Sequence, residues 1–96
     1  MAKETILVVE DDEDILQLLR FNLEAAGYAS VLARDGFEAL NLAKRHKPHL
    51  IMLDIMLPGM DGFEVCKELK RGKETQETPV ILLTARGEEV DRVVGL

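Results

Sequence analysis

Four short apolar runs, each followed by a stretch of helical periodicity, set the strongest limit on what this 96-residue chain can fold into. Residues 6–9 (Ile-Leu-Val-Val) are aliphatic throughout, as expected of a strand covered on both faces. Over residues 13–26, Ile15, Leu18, Leu19, Leu23 and Ala26 recur at helical spacing, and Gly27 supplies a stop. Residues 29–33 read as a second strand. Phe37, Leu40 and Ala43 mark a second helix that ends at Lys47-Pro48. Residues 50–53 form a third strand, and Phe63, Cys66 and Leu69 mark a third helix. Residues 80–83 form a fourth strand, after which Val90, Val93 and Val94 open a fourth helix. Strands and helices that alternate over short connections give an α/β fold, a parallel sheet with helices on both faces.

The chain is long enough for one small domain. Its 47% hydrophobic and 31% charged residues are ordinary for a folded soluble protein. No apolar run reaches the roughly 18 residues of a membrane helix. Met1-Ala2-Lys3-Glu4 lacks the apolar stretch of a signal peptide, so a cytoplasmic location is expected. The single cysteine, Cys66, rules out an internal disulfide and reads as a packing group beside Phe63 and Leu69. A net charge of −6 argues against a nucleic-acid grip, which needs clustered cations. Phe21, Phe37 and Phe63 fall on helices and read as packing groups, too few for a base-stacking platform.

The tetrapeptide Asp-Gly-Phe-Glu occurs at residues 35–38 and again at 61–64, each time opening a helix. Asp at the cap with Glu three residues later is the capping-box spacing, which accounts for both copies through backbone hydrogen bonding. Chemistry is expected elsewhere. In open parallel sheets, ligands bind beyond the carboxyl ends of the strands. The first strand runs into Glu10-Asp11-Asp12, the third into Asp54 and the fourth into Thr84. If strands one and three are neighbours, several carboxylates converge and repel one another unless a cation intervenes. A few carboxylate oxygens suit Mg²⁺ better than zinc, and His46 and His49 lie at the opposite end of the third strand. Asp11 or Asp12 is free to cap the first helix, but capping leaves Asp54 unexplained. A strand-end carboxylate beside a divalent cation is a nucleophile suited to a phosphoryl group, and Thr84 offers a hydroxyl donor.

The stretches "ILVVEDD", "LIMLDIMLPGMDG" and "PVILLTAR", in this order and each at a strand's carboxyl end, resemble the receiver domain of two-component response regulators. The region around Met56, Thr84 and "ARGEEVDRVVGL" looks most like the OmpR/PhoB class. The resemblance implies a flavodoxin-like (CheY-like) doubly wound sheet of strand order 2-1-3-4-5. It implies that Asp54 accepts a phosphoryl group from a phosphohistidine on a sensor histidine kinase, in an Mg²⁺-dependent reaction. Asp11 and Asp54 would bind Mg²⁺ directly, Glu10 through water, and Met56 through its backbone carbonyl. Thr84 would hydrogen-bond the acyl phosphate, and Asp12 is left as a helix cap. The class joins its receiver to a winged-helix DNA-binding domain, so transcription control is expected one step removed, with no direct nucleic-acid contact by this segment.

The family's fifth strand and fifth helix, with the lysine at that strand's end, have no counterpart before Leu96, so residues 1–96 are expected to form a receiver incomplete at its carboxyl terminus. Without a fifth strand, residues 80–83 become an exposed edge that invites self-association. The missing lysine makes a non-phosphorylated pseudo-receiver the alternative reading. A haloacid-dehalogenase-type hydrolase would need a second Asp where Met56 stands. A nucleotide module would need a glycine-rich loop where the acids stand.

Overall fold

The computed structural model describes residues 3–83 and 93–95. Its elements run β1 (Thr5–Val9), α1 (Glu13–Ala25), β2 (Ala29–Ala33), α2 (Gly36–His46), β3 (Leu50–Asp54), α3 (Gly62–Arg71), β4 (Val80–Leu83) and β5 (Val93–Gly95). They build one sheet of order β2-β1-β3-β4-β5. The first four strands are parallel, as expected for a CheY-like sheet of order 2-1-3-4. Register aligns Val9 with both Ala33 and Leu53, so the carboxyl ends of β1, β2 and β3 finish level. No helix among the described residues is long and apolar enough to cross a membrane.

Alternation along the strands divides the core in two, because successive side chains point to opposite faces. Leu7, Val9, Ile51, Leu53, Val80 and Leu82 face α2 and α3, and pack on Ala39, Ala43, Val65, Cys66 and Leu69. Ile6 and Val8 face α1 and pack on Leu16, with Leu19 and Leu23 beside them. Each helix starts on an aspartate cap. Asp12 Oδ1 accepts the Asp14 and Ile15 amides at 2.9 and 3.2 Å. Asp35 Oδ1 accepts the Glu38 amide at 2.8 Å, and Asp61 Oδ1 accepts the Glu64 amide at 3.0 Å. The two Asp-Gly-Phe-Glu copies therefore cap helices, though only the second closes the reciprocal box, with Glu64 Oε1 accepting the Asp61 amide at 3.3 Å. In the first copy Glu38 Oε1 takes the Arg34 amide instead.

Two expectations need correction. The first concerns the helix faces. Ile15, Leu18, Phe21, Phe37 and Phe63 are 39–69% exposed, whereas Leu16, Ala39 and Val65 are fully buried. Helical spacing fitted more than one stripe, and the largest apolar residues do not mark the inward one. Close packing of α2 on the sheet takes small side chains, Ala39 and Ala43, and turns Phe37 outward. The second concerns the chain after β4. Val93 and Val94, expected in a fourth helix, lie instead in β5, which pairs antiparallel with β4 (Ile81 with Gly95, Leu83 with Val93). Val90 lies outside the described residues. An open parallel edge offers unmet N–H and C=O groups, and β-branched residues favour the extended chain, so the pairing outcompetes the helix. The expected exposed edge of β4 is thus covered over residues 81–83 by an antiparallel strand.

Candidate metal and phosphoryl-acceptor site

Beyond the level carboxyl ends of β1 and β3, the chain leaves the sheet with acids. Glu10 directly follows β1, and its amide still donates to the Ala33 carbonyl at 3.0 Å, so the strand's geometry carries one residue further. Asp54 is the last residue of β3, opposite Leu83 of β4. Ile55 donates to Leu83 O at 3.2 Å, and Gly62 donates back to Ile55 O at 2.9 Å. The loop between β3 and α3 is therefore closed on itself directly beneath Asp54. Gly62 is required there by space: a Cβ on it would lie 2.6 Å from the Asp54 carbonyl oxygen and 2.7 Å from Ile55 Cα.

Glu10, Asp11 and Asp54 each bring one carboxylate oxygen to within 4.8 Å of the others. Glu10 and Asp54 are 6% and 4% exposed, while Asp11 faces solvent. Two backbone amides help to hold them. Asp12 N–H donates to Glu10 Oε2 at 3.0 Å, and Met56 N–H donates to Asp54 Oδ1 at 3.2 Å. Burial raises the Glu10 carboxyl above its ordinary value, the Asp12 amide pulls it down, and the negative charges of Asp54 and Asp11 raise it further. Three oxygens of like charge held this close favour a hard divalent cation, which bridges carboxylates and keeps part of its water shell. The donor set fits Mg²⁺, since the cluster contains neither His nor Cys.

Of the residues singled out by sequence, the structure brings Glu10, Asp11 and Asp54 together and sets the Met56 backbone against Asp54. Asp12 caps α1. Thr84 lies outside the described residues. His49 stands at the far end of β3, where its Nδ1 accepts the Thr5 amide at 2.9 Å, a structural role. What spacing did not reveal is a hollow of about 610 Å³ beside Asp11, lined by Ile55, Met56, Leu57, Pro58, Asp61 and Phe63. Its rim carries Met56 and Phe63, each 55% exposed, an apolar lip beside a charged site. The legible signal was the apolar content of the loop itself, where a surface turn would ordinarily be polar.

Residues 6–96 match the family model described as the response regulator receiver domain. The alkaline phosphatase synthesis transcriptional regulatory protein PhoP of Bacillus subtilis (strain 168) is 53% identical over 91 residues, covering 95% of this chain and 37% of that protein. The chain thus spans little more than a third of that relative's length. Among solved structures, the chemotaxis protein CheY4 of Vibrio cholerae superposes with a TM-score of 0.84 at 33% identity, covering 92% of this chain and 73% of that one. The receiver domain of a sensor histidine kinase from Pseudomonas aeruginosa PAO1 gives 0.84 at 32% identity, covering 95% and 75%, and that structure has a magnesium ion coordinated in its active-site cleft. With β1, β3 and their acids placed as above, and a matching model over nearly the whole chain, the chain belongs to the response regulator receiver domain family.

Proposed function

We propose that the chain is the phosphoacceptor switch of a two-component system, with Asp54 as the residue modified. The observation that supports this most directly is the meeting of three carboxylate oxygens within 4.8 Å at the end of β3, two of them on buried residues. Asp54 Oδ attacks the phosphorus of a phosphohistidine on a partner kinase. The new O–P bond forms as the P–N bond breaks, and the imidazole leaves and takes a proton. Asp11, Asp54 and the Met56 carbonyl would hold a Mg²⁺ ion, with Glu10 reaching it through water, and when bound it would supply positive charge where the attacking carboxylate and the phosphoryl oxygens repel. The Met56 amide, already on Asp54 Oδ1, helps to orient the carboxylate. Thr84, next after the strand that pairs with Asp54, donates its hydroxyl to the acyl phosphate.

The chain's chemistry is directed at itself: it promotes its own phosphorylation and dephosphorylation. The added charge of about −1.5 to −2 biases the loop that Gly62 holds against Asp54. The likeness to a transcriptional regulatory protein supports a DNA-binding effector as the element controlled. Intact-mass analysis after acetyl phosphate and Mg²⁺ tests the reading. A single hydroxylamine-labile phosphoryl group, absent with EDTA and in Asp54→Asn, is the expected result. No mass gain in this chain or in a longer form carrying the family's lysine overturns it and leaves a pseudo-receiver.

A further inference from the structure

On the face opposite α1, the seam between α2 and α3 opens into a groove that the phosphoacceptor reading does not use. A hollow of about 460 Å³ at its upper end is walled by Phe37, Met60 and Lys67. A second, of about 190 Å³, continues it past Leu40 and Lys44, and Glu68 and Arg71 line both. The sequence explains the continuity. Phe37, Leu40 and Lys44 lie at i, i+3 and i+7 on α2, and Glu64, Lys67, Glu68 and Arg71 follow the same rule on α3, so each helix turns one stripe to the groove.

The charges in the groove are unequally committed. Glu64 sits at the head of α3, where it accepts the Asp61 amide at 3.3 Å and keeps its charge. Glu68 is paired with Arg71 at 3.3 Å. Lys44 and Lys67 make no ion pair among the described residues, and both are exposed. The groove therefore offers two uncommitted cations in a chain of net charge −6. Beside them stands Phe37, 67% exposed at the mouth. Apolar contact flanked by free positive charge selects an apolar segment flanked by negative charge.

We infer that the α2–α3 groove is a docking site for an acidic amphipathic segment of a partner protein, which sets apolar residues against Phe37, Leu40 and Met60 and carboxylates against Lys44 and Lys67. The site is separate from the acidic cluster and of opposite charge, so its occupant is neither the phosphodonor's histidine nor Mg²⁺. The probe is a panel of fluorescein-labelled peptides of about 15 residues with Leu or Phe at i, i+3 and i+7 and Glu between them, read by fluorescence anisotropy against this chain. Saturable binding is expected, weakened about tenfold or more when Lys replaces Glu in the peptides, and by a similar factor in the Lys44→Glu/Lys67→Glu chain. Asp54→Asn should bind as the parent does, which separates this site's failure from failure of the phosphoacceptor reading. Equal binding of acidic and basic peptides, no saturable binding, or unchanged affinity in a charge-reversed chain that keeps its circular dichroism spectrum overturns the inference. So does a concentration-dependent dimer abolished by Phe37→Ser, which assigns the groove to a second copy.

Discussion

The two ends of the sheet handle polar groups in opposite ways. At the amino end, an exposed His49, a half-buried Lys70 and a buried Thr75 each meet a neutral backbone partner. His49 Nδ1 takes the Thr5 amide, Thr75 Oγ1 donates to the Leu69 carbonyl at 2.6 Å, and Lys70 Nζ reaches the Thr78 carbonyl at 3.0 Å. At the carboxyl end, Glu10, Asp11 and Asp54 gather charge of one sign within 4.8 Å. Folding alone favours the first arrangement, because a paired polar group loses little on burial and clustered like charges lose much. The contrast agrees with the proposed site: polarity that stabilises lies at one end, and polarity that costs stability lies at the other. Substitutions at the amino end should therefore lower stability and spare phosphorylation, and those that remove a carboxylate at the carboxyl end should impair phosphorylation without lowering stability.

Asp54→Asn makes the sharpest break, with complete loss of labelling by acetyl phosphate and an unchanged circular dichroism spectrum. Labelling that persists in this variant would move the acceptor elsewhere. Gly62→Ala comes next and tests whether the two properties can be struck together. Its Cβ meets backbone atoms of Asp54 and Ile55, which cannot swing aside as a side chain can. A loss of about 1–3 kcal/mol in urea unfolding is expected, with slower labelling because Asp54 itself is displaced. Thr75→Val acts at the quiet end. Removing this buried donor leaves the Leu69 carbonyl only the longer Gly72 amide at 3.3 Å and should lower stability by about 0.5–1.5 kcal/mol, with the labelling rate of the folded chain unchanged. If Thr75→Val slowed labelling as strongly as Gly62→Ala, the division between the two ends would fail.

How much of this was legible beforehand follows the same physics. Most strands could be read because a parallel strand covered on both faces is largely apolar, so no face has to be chosen; residues 80–83 match β4, and residues 29–33 match the half-buried edge strand β2 despite Ser30. The acidic triad could be read because strand ends in a parallel sheet converge, and Glu10, Asp11 and Asp54 do meet. Helix faces were harder. Leu16 with Leu19 and Leu23, and Ile15 with Leu18, each fit a helical stripe, and only packing on Ile6 and Val8 selects the first. Val93 and Val94 were misread because their fate depends on an open edge of β4, which no local pattern encodes. The groove was hidden for a related reason: Phe37 looked like core until Ala39 and Ala43 took the sheet-facing positions.

The smallest effect is also the most specific to the carboxyl end. Burial, with help from the charges on Asp54 and Asp11, lifts the Glu10 carboxyl above its ordinary value of 4.5 in the folded chain. The folded state then holds the Glu10 proton to higher pH than the unfolded state does. By linkage, the associated stability is fully present below the unfolded value and is lost as pH rises through the folded one. Glu10→Gln cannot ionise, and its side-chain oxygen can still accept the Asp12 amide. The metal-free variant should therefore become steadily more stable relative to the parent as pH rises from the acid side towards neutrality, measured by urea midpoints at each pH. Exposed pairs such as Glu13 with Arg34 titrate equally in both chains and cancel from the difference. Millimolar Mg²⁺ should narrow the gap at neutral pH by stabilising the parent more than the variant. A stability difference that stays flat with pH would mean that Glu10 is not strained by its neighbours, and that the carboxyl end is less costly to the fold than its geometry implies.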